Sequence, residues 1–381
     1  MGAASADGAL VLVVNAGSSS LKAQLLTVDG RPLWKGQTNW QPNAPSSLDE
    51  PGAAAGGEGQ PAEVVVGDWL LPSIAPWSAN LALVGHRVVH GGTAFTAPTL
   101  LTVEARRQLS ELTPLAPLHN GPALAVIEAI SHWRPELPQW ACFDTAFHHT
   151  LPPEAFTYAI PGVWRRQGLR RYGFHGLNHQ HVSERVMAPR LISCHLGAGC
   201  SLCAIAEGRS IATTMGFTPM EGLVMASRSG SVDPGLLLHL LRQGVSADEL
   251  DQALNHASGL LALSDGLSAS MKALREAAAA GNGGAQLAIG VFRHGVLQAI
   301  GAMAASLGGV DVVALTGGIG EHDGALRQEL AAALAWLGPF ELVVVPADEE
   351  GIIARQCCAA AGVADNLQTP PWLLHAPSTG S

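Results

Sequence analysis

Asn15 to Lys22, N-A-G-S-S-S-L-K, places a glycine, three serine hydroxyls and a lysine directly after an apolar run. Backbone N–H groups of such a turn form a nest for an anion, and Ser18, Ser20 and Lys22 add side-chain donors for phosphate oxygens. An ordinary hairpin turn is the plain alternative. The chain carries neither G-x-x-x-x-G-K-[ST] nor G-x-G-x-x-G, so neither common phosphate-loop fold is supported. The run H-R-V-V-H-G-G from His86 puts Arg87 where the chain leaves a strand, and strand ends are where open α/β sheets collect ligands. Further titratable groups sit among aromatics, glycines and serines: His119 in L-H-N, Asp144 in F-D-T-A-F-H-H, His175 in R-R-Y-G-F-H-G and Arg228 in M-A-S-R-S-G-S-V-D-P. Taken singly, each histidine is a core residue and Asp144 a turn cap; their joint occurrence at strand ends favours a site. T-G-G-I-G-E-H from Thr316 lets backbone approach a nucleotide closely. Glu349 and Glu350 suit a hard cation such as magnesium, or simply a solvated helix N-terminus.

These groups need rigid elements to hold them. Apolar runs predict strands at Leu10–Val14, Leu81–Val89, Leu191–His195 and Val310–Leu315, and helical spacing predicts helices at Leu236–Arg242, Met271–Ala280 and Ala285–Leu307, an α/β pattern. L-V-V-N-A-G-S-S-S-L-K-A from Leu12 and I-S-C-H-L-G-A-G-C-S-L-C-A from Ile192 echo one another, each an apolar strand, one polar residue (Asn15 or His195), a glycine turn and a return strand. Such an echo suits two copies of one domain. Residues 41–62, rich in Pro, Gly, Ala and Ser, read as a flexible surface loop.

At 381 residues there is room for two domains. A net charge of -10 argues against a general nucleic-acid binder, so an anionic ligand must meet a local basic cluster. With no signal-like start and no unbroken apolar run of about 18 residues, the chain reads as cytoplasmic and not membrane-embedded. Cys200 and Cys203 form a C-x-x-C beside Cys194 and His195, but a second ligand pair at zinc spacing is missing, and buried reduced thiols are the better reading.

In order along the chain, N-A-G-S-S-S-L-K, H-R-V-V-H-G-G, P-L-H-N, F-D-T-A-F-H, R-Y-G-F-H-G, H-L-G-x-G, M-G-F-T-P-x-E-G-L-V-M, R-S-G, G-G-I-G-E and the late D-E-E resemble the acetokinase family of acetate and propionate kinases, from about Val11 to Ala359. The resemblance implies an actin-like (ribonuclease H-like), duplicated two-domain α/β fold with a cleft between domains. It implies a first domain of residues 8–146 plus about 350–381, and a second of 147–349 that forms a homodimer. The implied reaction is Mg2+-dependent, reversible in-line transfer from ATP to acetate, giving acetyl phosphate and ADP, with Mn2+ able to replace Mg2+. In that scheme Asn15 and Glu349 look like the magnesium pair, and Ser18, Ser20 and Lys22 like phosphate contacts. Arg87 and Arg228 look like cations flanking the phosphoryl group, His175 like a transition-state stabiliser, Asp144 like the catalytic carboxylate and His119 like a lining group. Val89, Leu118, Phe174 and Pro219 look like the pocket for the acetate methyl. His195, Leu196, Gly197, Ala198, Gly199, Ser270, Met271, Lys272, Gly318, Ile319, Gly320, Glu321 and His322 look like the nucleotide side.

A carboxylate with a pKa of about 4 to 5 is ionised at pH 7, so no base is needed to make the nucleophile. The barrier is anion meeting anion, roughly 4 kcal/mol for a unit pair at about 4 Å and an effective dielectric near 20. Two arginines, a histidine and magnesium answer that repulsion, which casts Asp144 as an organiser. The nucleotide side departs from the family pattern at Ala198, at Ala226, Ser227 and Ser231, and at Ser270, Met271 and Lys272. Pyrophosphate or another nucleotide as donor, and propionate as the main acyl substrate, are therefore the alternatives, with a non-catalytic, nucleotide-gated actin-like protein more remote.

Overall fold

The computed structural model describes residues 8–17, 20–40 and 61–363, and the side chains of Pro114, Pro117 and Leu118 are excepted. Ser18, the Leu118 side chain and loop residues 41–60 therefore lie outside the described residues. The chain divides into two compact units, Met1–Ala146 with Asp348–Ser381, and Phe147–Ala347.

The first unit is built on β1 (Leu10–Ala16), β2 (Ser20–Thr27), β3 (Pro32–Asn39), β4 (Leu81–Val88), β5 (Thr99–Leu100) and β6 (Gln139–Phe143), in the order β3-β2-β1-β4-β6-β5. An antiparallel meander of β1 to β3 adjoins the parallel run β1-β4-β6. The second unit repeats the plan with β7 (Arg190–Leu196), β8 (Cys200–Ala206), β9 (Arg209–Thr213), β10 (Val312–Thr316) and β11 (Glu341–Val344), ordered β11-β10-β7-β8-β9. β7 to β9 form the meander, and β7-β10-β11 are parallel. Asn15 and His195 occupy equivalent places: Asn15 stands opposite Lys22 and Arg87, His195 opposite Ser201 and Thr316. The sequence echo is thus a structural duplication.

Strand alternation decides what each face of the first sheet carries. Leu10, Leu12, Val14 and Val84 join the core with Ala123, Val126, Ile127 and Ile130 of helix Pro117–Trp133. The opposite face, which carries Asn15, Gly85 and Arg87, receives helix Glu349–Ala361, with Ile353 and Cys357 packed over Gly85. Asp348 caps that helix, accepting from the Gly351 N–H at 3.1 Å, and Glu349 and Glu350 fill its first turn.

Each predicted strand and helix exists, with ends moved by one or two residues. Pairing carries β1 on to Ala16 and β10 on to Thr316, since hairpin and parallel bonds persist into the turns. Ala62 opens a helix and does not close the loop. The glycine-rich run after Thr316 forms helix Gly317–His322. Helix Gly283–Leu307 is long and apolar enough to cross a membrane, yet its Ala285, Ala288, Phe292, Val296 and Ile300 are buried and it packs on β7, β8 and β9 as a core helix.

A Cβ at Gly85 would lie 2.8 Å from Ile353 Cγ2 and 2.9 Å from Cys357 Sγ. Gly85→Ala is expected to lower stability in urea by about 1 to 3 kcal/mol by overpacking the helix. Gly67→Ala, at an exposed helical position with open space around it, is expected to be neutral or stabilising. Equal unfolding midpoints for the Gly85 variant and the parent would contradict this packing.

Candidate active site

In the first unit, the parallel register sets Arg87 at the end of β4 beside the end of β6, after which the chain reaches Asp144. Arg87 Nε donates to Asp144 Oδ1 at 3.0 Å and Nη2 to Oδ2 at 2.5 Å, a bidentate fork. Arg87 Nη1 also donates to Asn15 Oδ1 at 3.3 Å, and Glu349 Oε2 lies 3.9 Å from Arg87 Nε. Asp144 is 1% exposed. Burial opposes the Arg87 charge, but Asp144 and Glu349 outweigh it and hold the guanidinium above the ordinary arginine range. Asn15, Arg87, Asp144 and Glu349 therefore form one cluster.

The other residues of this unit surround the cluster less directly. Lys22, exposed, stands opposite Asn15 across β1 and β2 and shares its face, and Ser20 is half-buried at the start of β2. Val89 is buried. His119 is half-buried in helix Pro117–Trp133. The next residue, Asn120, accepts from His90 N–H at 3.1 Å and donates to the His90 carbonyl at 2.9 Å, while Gly91 N–H donates to Thr145 Oγ1 at 3.0 Å. Those bonds tie the H-G-G exit to the D-T exit and fix Arg87 against Asp144.

In the second unit, the β7–β8 turn, His175 and Arg228 come together. His175 takes φ 55° at the start of helix Gly176–Val186, and its ring stacks on His195 with centroids 4.2 Å apart. A Cβ at Gly199 would stand a tight 3.1 Å from His175 Cε1 and in ordinary contact, 3.9 Å, with Arg228 Nη1, so the turn lies against both groups and glycine leaves room for the ring. Arg228 Nη1 donates to the Pro219 carbonyl at 3.1 Å. Ala226 N–H donates to the Ala198 carbonyl at 3.0 Å, which joins the Arg228 loop to the turn. Phe174 is buried, and its carbonyl accepts from His148 Nε2 at 3.0 Å.

Next to this turn is a cavity of about 870 Å³ that gathers Gly197, Ala198, Ser270, Met271, Lys272, Gly318, Ile319 and His322. Arg275 and Asp323 also line it, joined by a 3.0 Å Nε–Oδ2 bond, and sequence reasoning missed both. Arg275 lies one helical turn after Met271, so the spacing i, i+4 was the available signal. His195, Leu196, Gly199, Gly320 and Glu321 do not line the cavity. Glu321 Oε1 accepts from the N–H groups of Gly317 and Ala347, each at 3.0 Å.

Cys200 and Cys203 are buried free thiols bonded to the Gly197 carbonyl and to Ser210, and burial pushes both pKa values up to about 12. Among the described residues no three His, Cys, Asp or Glu side chains gather as metal ligands. The oxygens of Asn15 and Glu349 that meet at Arg87 are hard donors, the kind Mg2+ takes one or two at a time alongside substrate phosphates.

Two repeated meander-and-parallel sheets, one presenting an ion cluster and the other a histidine-arginine turn beside a nucleoside-sized cavity, define a phosphotransferase of the actin-like fold. The family model for the Acetokinase family matches residues 10–342. An acetate kinase of Synechococcus sp. (strain JA-2-3B'a(2-13)) is 44% identical over 401 residues, covering 91% of this chain and 98% of that protein. The crystal structure of Porphyromonas gingivalis acetate kinase superposes with TM-score 0.83 at 32% identity, covering 93% of this chain and 100% of the other. A propionate kinase from Francisella tularensis subsp. tularensis SCHU S4 gives TM-score 0.83 at 32% identity, with coverage of 91% and 98%. The chain belongs to the acetokinase family. It is an ATP-binding kinase whose acceptor is a carboxyl group.

Several histidines near the site are structural. His86 bonds Gln139 at 2.7 Å, and His148 bonds Ser210 at 2.8 Å; burial lowers both pKa values from 6.5 to about 4. Below about pH 6.5 the unfolded chain takes up protons that the folded chain refuses until about pH 4. Stability present above that window is lost as pH falls through it, up to about 3 kcal/mol for each group. Urea midpoints measured from pH 7.5 to 4 should fall, and His148→Gln should flatten the slope. An unchanged slope in that variant would show that His148 is not a source of the dependence.

Proposed function

We propose that the chain catalyses reversible transfer of the γ-phosphoryl group of ATP to acetate, giving acetyl phosphate and ADP by direct in-line attack. The observation that carries this reading is the buried bidentate pair of Arg87 and Asp144. An acetate oxygen is already a nucleophile at pH 7 and must be brought to a polyanion, which calls for fixed positive charge and not for a base. Asp144, accepting two bonds from Arg87, aims the guanidinium. Asn15 and Glu349 would hold Mg2+, or Mn2+ in its place, together with nucleotide phosphates; when bound, the cation neutralises charge on the phosphate oxygens. In the second unit Arg228 and the His175 N–H are donors suited to phosphate oxygens, and in the first unit Lys22 and Ser20 are. The cavity beside Ala198 and Met271 takes the nucleoside, at a size within the range of small-molecule sites. Alanine at 198 and serine at 270 depart from the family pattern at the cavity wall, so GTP should be used less poorly than a pocket keeping that pattern would allow.

The similarity to a propionate kinase supports propionate as a second acyl substrate. We also propose a homodimer through the second unit, supported by exposed Leu236, Leu238 and Leu241 on helix Pro234–Arg242. Sedimentation at micromolar concentration should give twice the chain mass; a monomer would refute it.

Acyl phosphate formation by the purified protein tests the main reading. Acetate should be preferred over propionate and propionate over butyrate, since one methylene changes kcat/KM by about 10 to 200-fold. Arg87→Ala and Arg228→Ala should each lower turnover about a hundredfold or more while the protein stays folded. Equal kcat/KM for acetate and butyrate would overturn the acyl assignment, and pyrophosphate far exceeding ATP would overturn the donor.

A further inference from the structure

A line of hydrogen bonds runs behind His175 through groups to which no role has been given. Ser201 Oγ lies 2.9 Å from His175 Nδ1 and 2.8 Å from His179 Nε2, and His179 Nδ1 lies 2.8 Å from Ser193 Oγ. Ser193, His179 and Ser201 are wholly buried. The three come from separate elements, β7, helix Gly176–Val186 and β8, all within the second unit.

A serine hydroxyl has one proton, so Ser201 can donate to one of the two rings and must accept from the other. Burial, with help from His148 and His195, keeps His179 neutral, so one of its nitrogens donates and the other accepts. The line therefore has two self-consistent settings. In the first, Ser193 donates to His179 Nδ1, His179 Nε2–H donates to Ser201, and Ser201 donates to His175 Nδ1, which leaves the His175 proton on Nε2. In the second every bond is reversed, and a neutral His175 carries its proton on Nδ1 and leaves Nε2 unprotonated.

His175 Nε2 is the nitrogen on the Gly199 side, 3.2 Å from where a Gly199 Cβ would stand, in the place that also approaches Arg228. A lone pair there would repel a phosphoryl oxygen, whereas an N–H would bind it. The left-handed backbone at His175, disfavoured for a residue with a Cβ, is a second sign that the ring is held in place against a local preference.

We propose that Ser201 and His179 are positioning residues, holding the His175 ring and keeping its proton on Nε2, toward Gly199 and Arg228, for donation to the transferred phosphoryl group. The proposal rests on the reading of His175 given above. It also accommodates an imidazolium, since a protonated His175 donates from Nδ1 to Ser201 and the line turns over without losing a bond.

Long-range 1H–15N spectra of the full chain labelled at histidine, with His175 assigned by the peak missing in His175→Ala, read the tautomer without any change at Ser201. The Nε2–H form or the imidazolium is expected, and a neutral Nδ1–H form overturns the proposal. In kinetics, Ser201→Ala should lower kcat by about 10 to 100-fold with nucleotide KM within about threefold of the parent. It should have no further effect in a His175→Ala background. Parental kcat in a folded Ser201→Ala, with His175→Ala impaired, overturns the relay alone. Parental kcat in His175→Ala instead overturns the phosphoryl role of His175, while the spectrum still decides whether Ser201 sets its tautomer.

Discussion

The fork between Arg87 and Asp144 is the interaction on which the ion cluster of the first unit depends. A carboxylate 1% exposed is stabilised there by a guanidinium that meets both its oxygens. Breaking such a buried pair by removing one partner costs about 3 to 5 kcal/mol. The parallel register of β4 and β6 makes the meeting unavoidable, since Val88 lies beside Phe143 and Asp144 N–H donates to the Val88 carbonyl at 3.1 Å. Helix Glu349–Ala361 then adds Glu349 to the same guanidinium by lying over Gly85, where a side chain would not fit.

The second unit repeats the sheet and changes the chemistry. Where Asn15 stands in the first hairpin, His195 stands in the second, and its neighbours are an imidazole ring and hydroxyls, with Arg228 the cation near the His175 ring. Close approach replaces charge pairing as the organising device. Gly199 admits the His175 ring, and Gly317, at φ 77°, avoids a Cβ that would stand 2.8 Å from the Leu196 carbonyl. One duplicated framework thus gives an ionic site in one copy and a hydrogen-bonding site in the other.

Much of this was legible in the chain. Apolar runs ending in Asn15 or His195 and followed by glycine turns predict both hairpins, because a strand buried on both faces and a tight return leave a local signature. The positions of Arg87 and Asp144 at strand ends were equally plain. Their pairing was not, because contacts across a sheet depend on register and leave no mark in local spacing. The same holds for the line through Ser193, His179 and Ser201, whose members each look like an ordinary core polar residue. Helix Glu349–Ala361 was read only through its acidic start, since G-I-I-A-R-Q-C-C is buried almost all round and shows little amphipathic period. Arg275 was hidden for the opposite reason: a cation on a polar helix face looks solvated until the cavity wall beside it is known.

If Asp144 works by aiming Arg87, the two residues act as one unit in turnover. A double-mutant cycle on acetyl phosphate formation measures that directly, using folded Arg87→Ala, Asp144→Ala and the double variant under saturating ATP and acetate. The account predicts that the double variant is no slower than Arg87→Ala alone, within about threefold. Losses that multiply independently would contradict it and give Asp144 a task of its own.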